Sequence, residues 1–458
     1  MEIFFRHPHF KEVLAICRQL DKAGFCTYLA GGCVRDALLG HTAYDFDVAT
    51  DAKPDQLEGL FPQALKVGKQ FGVIILPFKG FQVEVATFRR DGKYVDGRHP
   101  DQVEFSSPEE DALRRDFTVN ALFYDLKKQQ VIDYVGGRAD LKKGLLRTVG
   151  DPYQRFSEDK LRVLRAVRIA AQLNFEIEGA SRRAVEDFAL KVKVVSQERI
   201  TTELKKIMRL KNRVQALYNL HVCGLAQVVL PELSYFEINQ EFRWRKSKHL
   251  AQVLASEKRL GLLWASLLWQ EVEGLRGDSL VTPENNWPCL VKDLVELILR
   301  QLKCSLKEIG ETTFILTHFD KFFKGSMNGL ENKDSKSLLG EKLSTEEVKS
   351  LLLLDQPYGL SALDFAMAVA AVEGLSQERL LLLQQQYLSR VDSQSGYLPK
   401  PCIDGEDLLS LGFEPGPKMG LILNRVYHDQ IGGIVTNRKE ALALVKALKK
   451  NLSKKSTS

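Results

Sequence analysis

The stretch from Leu29 to Thr50 constrains this chain more than any other, because it joins a glycine pair to two closely spaced aspartates. It reads LAGGCVRDALLGHTAYDFDVAT. Gly31 and Gly32 have no Cβ, so the backbone there can turn tightly and approach a ligand. Amide groups at such a turn and at the start of the next helix can hold phosphate oxygens, and Arg35 adds a cation nearby. The first half of the stretch therefore predicts a phosphate-binding turn.

The second half of the stretch carries two carboxylates in the pattern D-x-D. Side chains alternate between the two faces of a strand, so Asp45 and Asp47 point one way and Phe46 points the other way. Two carboxylates on one face repel each other unless a cation lies between them, and Mg²⁺ takes carboxylate oxygens together with substrate phosphates. A lone D-x-D also fits a solvated face, and a lone glycine pair fits a simple turn. Their combination favours a metal-dependent phosphoryl-transfer site.

The motif GG-x-V-R-D-x-L-L-G followed by D-x-D resembles the signature of the class II nucleotidyltransferases of the polymerase β superfamily. This family comprises the CCA-adding tRNA nucleotidyltransferases and the bacterial poly(A) polymerases. The resemblance implies an α+β fold class, with a nucleotidyltransferase head of mixed β-sheet and helices before all-α neck, body and tail domains. The expected limits are 1–150 for the catalytic head, 151–210 for the neck, 211–395 for the body and 396–458 for an RNA-binding tail.

Length and composition agree with a multidomain globular protein. The 458 residues are too many for one hydrophobic core, and the sequence has no run of 18 apolar residues that could span a membrane. The first residues, MEIFFRHPHF, predict no signal peptide. Seven cysteines without a C-x-x-C pair indicate reduced thiols in a cytoplasm, and a net charge of +6 permits a polyanionic partner without requiring one.

The region after Thr50 predicts a hairpin that carries a third carboxylate. A helix within residues 1–26 is expected to pack on the sheet, and the runs 72–78 and 81–88 read as two antiparallel strands. Alternation in the second run puts Glu84 on its polar face, where it is either a surface residue or the third carboxylate of a two-metal site. The family often has an E-V-x-T-F-R strand here, which favours the second interpretation.

Two segments after the hairpin also resemble family motifs. Residues 89–110 are polar and contain glycines, which predicts a long loop. Its Asp96–Arg98 segment resembles the flexible loop that the family associates with the switch to adding the terminal A. The run RRDFTVNA offers arginine, aspartate and asparagine side chains at helical spacing to phosphate and sugar groups.

The resemblance assigns roles to residues of these motifs. It implies that Gly32, Arg35 and Arg115 hold the triphosphate, and that Asp116 and Asn120 lie near the ribose.

From residue 151 the hydrophobic period becomes helical. Residues 155–168 predict one amphipathic helix with Ser157 as its N-cap. Its polar face carries Asp159 and three arginines, Arg162, Arg165 and Arg168. Such a face is either a salt-bridged, solvated surface or a nucleotide-selecting surface.

The run Glu158-Asp159 with Arg162 resembles the family motif E-D-x-x-R. The resemblance implies that Asp159 and Arg162 act as an amino-acid template for CTP and ATP. Arg165 and Arg168 would then approach the nucleotide phosphates or brace the helix.

Three later segments have weaker signals. The helix predicted over 195–207 resembles the family pattern I-S-x-E-R and is interpreted as structural, with Glu198 and Arg199 pairing with the preceding helix. The basic, aromatic run 242–249 fits either RNA contact or a solvated helix start. Residues 401–418 resemble a segment of bacterial CCA-adding enzymes, where Lys418 lies against an RNA backbone or the segment is a simple packing unit.

The combined prediction is an enzyme that adds the 3′-terminal CCA to tRNA from CTP and ATP, with release of pyrophosphate. Its cofactor is expected to be Mg²⁺, bound by Asp45 and Asp47, with Glu84 as a further catalytic carboxylate, and its partner the tRNA acceptor end. Three alternatives stay open at this point. They are an A-adding enzyme that follows a separate CC-adding enzyme, a poly(A) polymerase of the same class, and an RNA-binding protein with an inactive transferase head.

Overall fold

A computed structural model describes most of the chain, and it divides the chain into two compact units, residues 1–236 and 237–458. The predicted loop segment Asp96–Arg98 and the basic run 242–249 lie outside the described residues. The predicted limits at residues 150, 210 and 395 stay predictions. The described residues are 4, 6–43, 45–65, 69–92, 103–233, 250–277, 287–324, 345–392 and 397–455.

The first unit is built on a six-stranded mixed sheet with the strand order β3-β4-β2-β1-β7-β8. Two further pairs, β5 with β6 and β9 with β10, form small two-stranded sheets. The strands are β1 (Thr27–Ala30), β2 (Phe46–Thr50), β3 (Val73–Phe78), β4 (Phe81–Thr87), β5 (Arg89–Asp91), β6 (Val103–Phe105), β7 (Leu122–Asp125), β8 (Gln130–Asp133), β9 (Leu145–Leu146) and β10 (Glu176–Ile177).

Helices surround this sheet and continue alone after it. They are α1 (Phe10–Lys22), α2 (Gly32–Leu38), α3 (Pro54–Leu60), α4 (Pro108–Leu113), α5 (Gly137–Lys143), α6 (Pro152–Glu158), α7 (Leu161–Leu173), α8 (Gly179–Phe188), α9 (Gln197–Met208), α10 (Arg213–Val222) and α11 (Ala226–Val229). The mixed sheet followed by helices confirms the predicted α+β class.

The register of the sheet brings the predicted carboxylates together. The predicted hairpin is confirmed as β3 and β4, which pair antiparallel, while β4 pairs parallel with β2. In that parallel register Asp47 lies opposite Glu84, and on its other side Asp47 lies opposite Ala30. Val83 and Val85 are buried while Glu84 is exposed, so the apolar alternation of β4 fixes which face the carboxylate occupies.

The opposite face of the sheet is held by aromatic packing against α1, as predicted. The helix begins at Phe10 and buries an apolar stripe that includes Val13 and Leu20. The ring of Phe46, between the two aspartates, is buried and lies 5.6 Å from the ring of Phe10 and 5.9 Å from that of Phe4. This packing anchors the start of β2, and so fixes the backbone that carries Asp45 and Asp47.

The prediction of a loop over residues 89–110 is wrong at both ends. Strands β5 and β6 pair antiparallel, with Arg90 opposite Glu104 and in an ion pair with it. Ser107 then caps α4 by accepting a hydrogen bond from the Glu110 amide at 3.3 Å. The ribbon is polar on its exposed side, so its strands lack the apolar alternation by which a strand is recognised in a sequence.

The prediction of one helix over residues 155–168 is also wrong. Helix α6 ends at Glu158 and α7 begins at Leu161, with a break at Asp159. The N-cap of α6 is Asp151, which accepts from the amides of Tyr153 and Gln154, whereas Ser157 lies inside the helix. At the break the Asp159 carboxylate accepts from the Leu161 amide at 3.0 Å and so starts the second helix.

The described part of the second unit contains helices and no strand, as predicted for an all-α region. Near its C-terminal end Leu408, Val426 and Val445 belong to one hydrophobic core. No helix in the described ranges is long and apolar enough to cross a membrane. The helices are α12 (Leu260–Gly277), α13 (Trp287–Gln301), α14 (Leu306–His318), α15 (Lys321–Lys324), α16 (Thr345–Leu354), α17 (Gly359–Glu373), α18 (Glu378–Arg390), α19 (Gly405–Ser410), α20 (Pro417–Ile431) and α21 (Arg438–Lys455).

The contact between Gly137 and the turn at Thr118 gives a test of this packing. A Cβ on Gly137 would clash with the Thr118 carbonyl oxygen and lie 2.8 Å from its carbonyl carbon. We expect Gly137→Ala to lower the free energy of unfolding by about 3 kcal/mol, because backbone must move. The control is Gly59→Ala in α3, where a Cβ meets nothing within 4 Å. Urea unfolding of both variants makes the comparison, and equal stabilities would contradict it.

Candidate active site

The centre of the candidate site is the pair of carboxylates that face each other across β2 and β4. Asp47 and Glu84 are register partners, and Asp45 lies one residue before β2 with its side chain exposed. Burial raises the pKa of Asp47 to about 6, and the negative charges of Glu84 and Asp45 add to this effect, while Arg115 opposes it. The three predicted carboxylates are therefore close enough to act on one another electrostatically.

In the part of the chain that the structure describes, these carboxylates supply only some of the ligands that a cation needs. Among the residues that the structure describes, no lysine or arginine forms an ion pair with Asp45, Asp47 or Glu84. In the same residues no three acidic, histidine or cysteine side chains form a complete metal cluster. Mg²⁺ usually takes one or two carboxylates and completes its octahedron with waters and substrate phosphates. The donor set fits a magnesium ion that arrives with a triphosphate.

The glycine turn lies directly against this pair. Gly31 has a φ of +74°, and its amide donates to the Leu122 carbonyl at 3.0 Å. A Cβ on Gly31 would lie 3.1 Å from Nη1 of Arg115 and 3.3 Å from Oδ2 of Asp47. A Cβ on Gly32 would make only an ordinary contact at 3.6 Å, with Arg35. The close approach thus requires glycine at position 31, while the predicted Gly32 is the first residue of α2.

Arg35 is buried beside the turn and is held by two side chains. Its Nε donates to Asp36 at 2.8 Å, and its Nη1 donates to Oδ1 of Asn120 at 2.6 Å. The amide nitrogen of Asn120 in turn donates to Oδ1 of Asp116 at 3.3 Å. Four residues from two predicted motifs are therefore joined in one hydrogen-bonded chain.

Asp116 links this chain to α7. Its Oδ2 accepts from Nε and Nη2 of Arg165 at 2.9 and 2.5 Å, and its Oδ1 accepts from the Phe117 amide at 2.8 Å. Burial would raise the pKa of Asp116, but Arg165 outweighs it and lowers that pKa to about 2. The prediction of helical spacing for this motif is wrong, because residues 114–117 form a turn before the 3₁₀ helix Thr118–Asn120.

The predicted template residues lie at the break between α6 and α7. Arg199 of α9 donates from Nη1 and Nη2 to the two oxygens of Asp159, at 3.1 and 2.7 Å. Arg162 donates to Oε2 of Glu158 at 2.7 Å and to the Arg114 carbonyl at 3.5 Å. The last contact connects the start of α7 to Arg114, the residue that precedes Arg115.

Arg168 takes a different partner from the other arginines. Its Nε donates to Oε2 of the buried Glu203 at 2.6 Å, and its Nη1 donates to Gln172 at 3.1 Å. Of the two roles left open for Arg168, these contacts favour bracing α7 against α9. The apolar side of α7 is buried as expected at Leu164 and Val167.

Two residues at the site were missed or undervalued at the level of sequence. Asp111, which no sequence pattern marks, accepts from Arg115 at 3.1 Å, and Arg199, which the sequence predicted only as a structural residue, donates to Asp159 at 2.7 Å. The partner of Arg199 lies 40 positions away in the sequence, whereas the arginine partners of Asp111 are its near neighbours.

The fold and site define the head of a template-independent nucleotidyltransferase. The family model described as "Poly A polymerase head domain" matches residues 27–147. A second model, described as "Probable RNA and SrmB- binding site of polymerase A", matches residues 174–237. The first matched range lies within the first unit of the structure, and the second ends one residue past the limit of that unit.

Curated relatives narrow this class. The chain is 30% identical over 443 residues to a CCA-adding enzyme of Levilactobacillus brevis, an alignment that covers 96% of this chain and 98% of that protein. It is 42% identical over 209 residues to that of Bacillus licheniformis, an alignment that spans 45% of this chain and 52% of that protein. The chain belongs to the family of CCA-adding enzymes.

Solved structures of CCA-adding enzymes match the fold of this chain over nearly its whole length. The crystal structure of the Bacillus stearothermophilus CCA-adding enzyme in complex with CTP matches with a TM-score of 0.68 and 27% identity, over 99% of this chain and 100% of that one. The Thermotoga maritima CCA-adding enzyme complexed with tRNA matches with a TM-score of 0.60 and 20% identity, over 97% of each chain, which supports the fold.

The Asp116–Arg165 pair predicts a pH-dependent stability. The folded pKa of Asp116 is about 2, so its stabilisation is complete above the unfolded pKa of about 4 and is lost as the pH falls toward 2. Asp116→Asn should therefore lower the free energy of unfolding at neutral pH, and the difference from wild type should shrink by about 1 kcal/mol between pH 7 and pH 3.

Urea unfolding between pH 7 and pH 3 measures this difference. The control is Asp187→Asn on α8, where the exposed carboxylate accepts from the Tyr153 hydroxyl at 2.7 Å and the asparagine oxygen can keep that bond, so stability is expected to change by less than about 0.5 kcal/mol. A difference for Asp116→Asn that does not change with pH would contradict the assignment.

Proposed function

We propose that the protein completes the 3′ end of tRNA by adding C, C and A from CTP and ATP. In each addition the 3′-hydroxyl oxygen of the RNA attacks the α-phosphorus of the nucleotide. A new phosphodiester bond forms, pyrophosphate leaves with the electron pair of the broken bond, and the hydroxyl proton passes to solvent. The observation that carries the proposal is the Asp47–Glu84 register pair beside the Gly31 turn, within a chain of this family.

We propose Asp45 and Asp47 as the residues that hold Mg²⁺, with Glu84 as a further catalytic carboxylate. Bound there, the ion would supply charge for activating the hydroxyl and for the leaving oxygen. The chain's own contribution is the Asp47–Glu84 pair, which the parallel register of β2 and β4 places side by side. The buried ring of Phe46 packs behind it.

The triphosphate would contact the turn at Gly32 and the guanidinium of Arg115, with Arg35 behind them. Arg115 approaches the Gly31–Asp47 contact, which supports this placement. Arg35 is buried and held by Asn120, so it would act mainly by fixing the turn.

The ribose and the base would lie next to the same hydrogen-bonded chain. The oxygens of Asp116 already accept from protein donors, so we propose that Asp116 places Asn120 near the ribose and Arg165 near the phosphates. Asp159 and Arg162 would select the base through paired hydrogen bonds. The hydrogen bonds of Arg162 to Glu158 and of Asp159 to Arg199 hold both side chains at the break between α6 and α7, which supports this role.

The RNA partner would be the tRNA acceptor end. We propose that the helical second unit holds the tRNA backbone, including the exposed Lys418 at the start of α20. Such contacts weaken steeply with salt. All seven cysteines are free, which supports a cytoplasmic location.

The direct test uses purified protein and three tRNA transcripts that end before CCA, after the first C, and after CC. CTP and ATP are supplied separately and together. Growth of the shortest transcript to CCA followed by arrest is the expected result. One A added only to the CC-ended transcript would indicate an A-adding enzyme, long A tracts a poly(A) polymerase, and no addition with retained tRNA binding an inactive head.

The carboxylate assignment predicts the behaviour of Asp47→Ala. We expect turnover to fall by at least about a thousandfold, because the ion and the triphosphate lose their shared ligand, while tRNA binding stays unchanged. Filter binding of tRNA and single-nucleotide incorporation measure the two quantities. The exposed Asp187→Ala on α8 is the control and should keep full activity. Incorporation retained by Asp47→Ala would refute the assignment.

The template assignment predicts a loss of selectivity for Arg162→Ala. A bidentate contact to a base is worth about 1–3 kcal/mol of discrimination, so CTP and ATP should lose about tenfold or more against UTP and GTP. Incorporation from each of the four nucleotides, on the transcript that lacks CCA for C addition and on the transcript that ends after CC for A addition, measures this. The control is Arg183→Ala, an exposed arginine on α8. Equal losses for all four nucleotides would mean that Arg162 is structural.

A further inference from the structure

Asp111 is a buried carboxylate that holds two arginines at once. It lies in α4, is 2% exposed, and has no local sequence pattern that marks it. Its Oδ2 accepts from Nε of Arg115 at 3.1 Å and pairs with Nη2 at 3.0 Å. Its Oδ1 accepts from Nε and Nη2 of Arg114 at 3.0 and 2.5 Å.

One arginine of this cluster reaches the candidate site. With Nε and Nη2 turned to Asp111, the Nη1 of Arg115 donates to the Asn120 carbonyl at 3.1 Å and approaches the Gly31 turn beside Asp47. The guanidinium also lies over the ring of Phe123, at 5.0 Å from its centroid. Asp111 therefore sets the direction in which Arg115 presents its remaining N–H groups.

The other arginine reaches the β5–β6 ribbon. The Arg114 Nε donates to the Arg89 carbonyl at 3.1 Å, and the Arg89 amide donates to Oδ1 of Asp111 at 3.4 Å. Arg89 also donates to the Phe71 carbonyl, and the Ser106 amide donates to the Phe88 carbonyl at 2.9 Å. The same carboxylate thus fastens the base of the ribbon that leads into residues 93–102.

The charges are consistent with a fixed structure. Burial alone would raise the pKa of Asp111, but Arg115 and Arg114 outweigh it and hold this pKa below its usual value. Asp111 pairs with Arg114 and Arg115, and Asp91 pairs with Arg114 and Arg89. Three guanidinium groups thus share two carboxylates, so the cluster keeps a net positive charge next to the carboxylates of the site. A group that binds an anionic triphosphate needs such a surplus.

We propose that Asp111 is a positioning residue for nucleotidyl transfer, which holds the Arg115 guanidinium against the β- and γ-phosphates and ties it to the base of the β5–β6 ribbon. This inference rests on the proposed function. It places Asp111 away from the reacting atoms and assigns its effect to Arg115.

The test compares triphosphate with monophosphate binding in Asp111→Asn, a variant that keeps the shape of the side chain and removes its charge. ATP and CTP carry the β- and γ-phosphates that Arg115 would hold, and AMP and CMP do not. We expect the dissociation constants of the triphosphates to rise about tenfold or more and those of the monophosphates to change less than about twofold. Calorimetry or competition measures both.

The matched control is Asp140→Asn. Asp140 is also buried and pairs with an arginine, Arg147, at 3.2 Å, but it does not contact Arg115. It should lower stability without changing the ratio of triphosphate to monophosphate affinity. If Asp111→Asn does not fold, Asp111→Glu keeps the charge, shifts the carboxylate by one methylene and should show the same selective loss.

Unchanged triphosphate affinity in the Asp111 variants, or equal weakening of both ligand classes, would overturn the inference alone. The same selective loss in Asp140→Asn would overturn it too, because general destabilisation would then explain the effect. Absence of nucleotide addition by the wild-type protein would instead overturn the proposed function, and this inference with it.

Discussion

The repulsion between Asp47 and Glu84 across two parallel strands is the constraint on which the rest of the head depends. The register of β2 and β4 forces the two carboxylates side by side, and burial makes the charge of Asp47 more costly. Within the described residues no ion pair relieves Asp47. The sheet tolerates this because the other face of β2 is firmly packed through Phe46. A site that is strained without its cation is prepared to bind one.

Arginines lie around this carboxylate pair without forming ion pairs with it in the described residues. Arg115 acts on Asp47 electrostatically, while Arg165 and Arg199 form ion pairs with Asp116 and Asp159. These half-buried arginines therefore line the site while their own carboxylate partners hold them in place. This arrangement leaves the carboxylate pair to be neutralised by whatever enters the site with the nucleotide.

The sequence predicted what depends on short-range periodicity. Two-residue alternation put Glu84 on the polar face of its strand, the family resemblance favoured a place beside the D-x-D pair, and the family motifs located the arginines. It did not predict the break at Asp159, because residues on both sides keep a helical pattern and the break depends on Arg199, 40 positions away. Asp111 was missed for a different reason. Its partners are adjacent in sequence, but their direction is set by the sheet.

The measurement that tests the central claim most directly is the melting temperature of the wild type and of Asp47→Asn, with and without Mg²⁺ and ATP. If the carboxylate pair is strained, the variant unfolds at a higher temperature than the wild type when the ion is absent. Mg²⁺ with ATP then raises the melting temperature of the wild type by more than that of the variant. A variant that is less stable than the wild type without the ion, or an equal response of both proteins, would contradict the account.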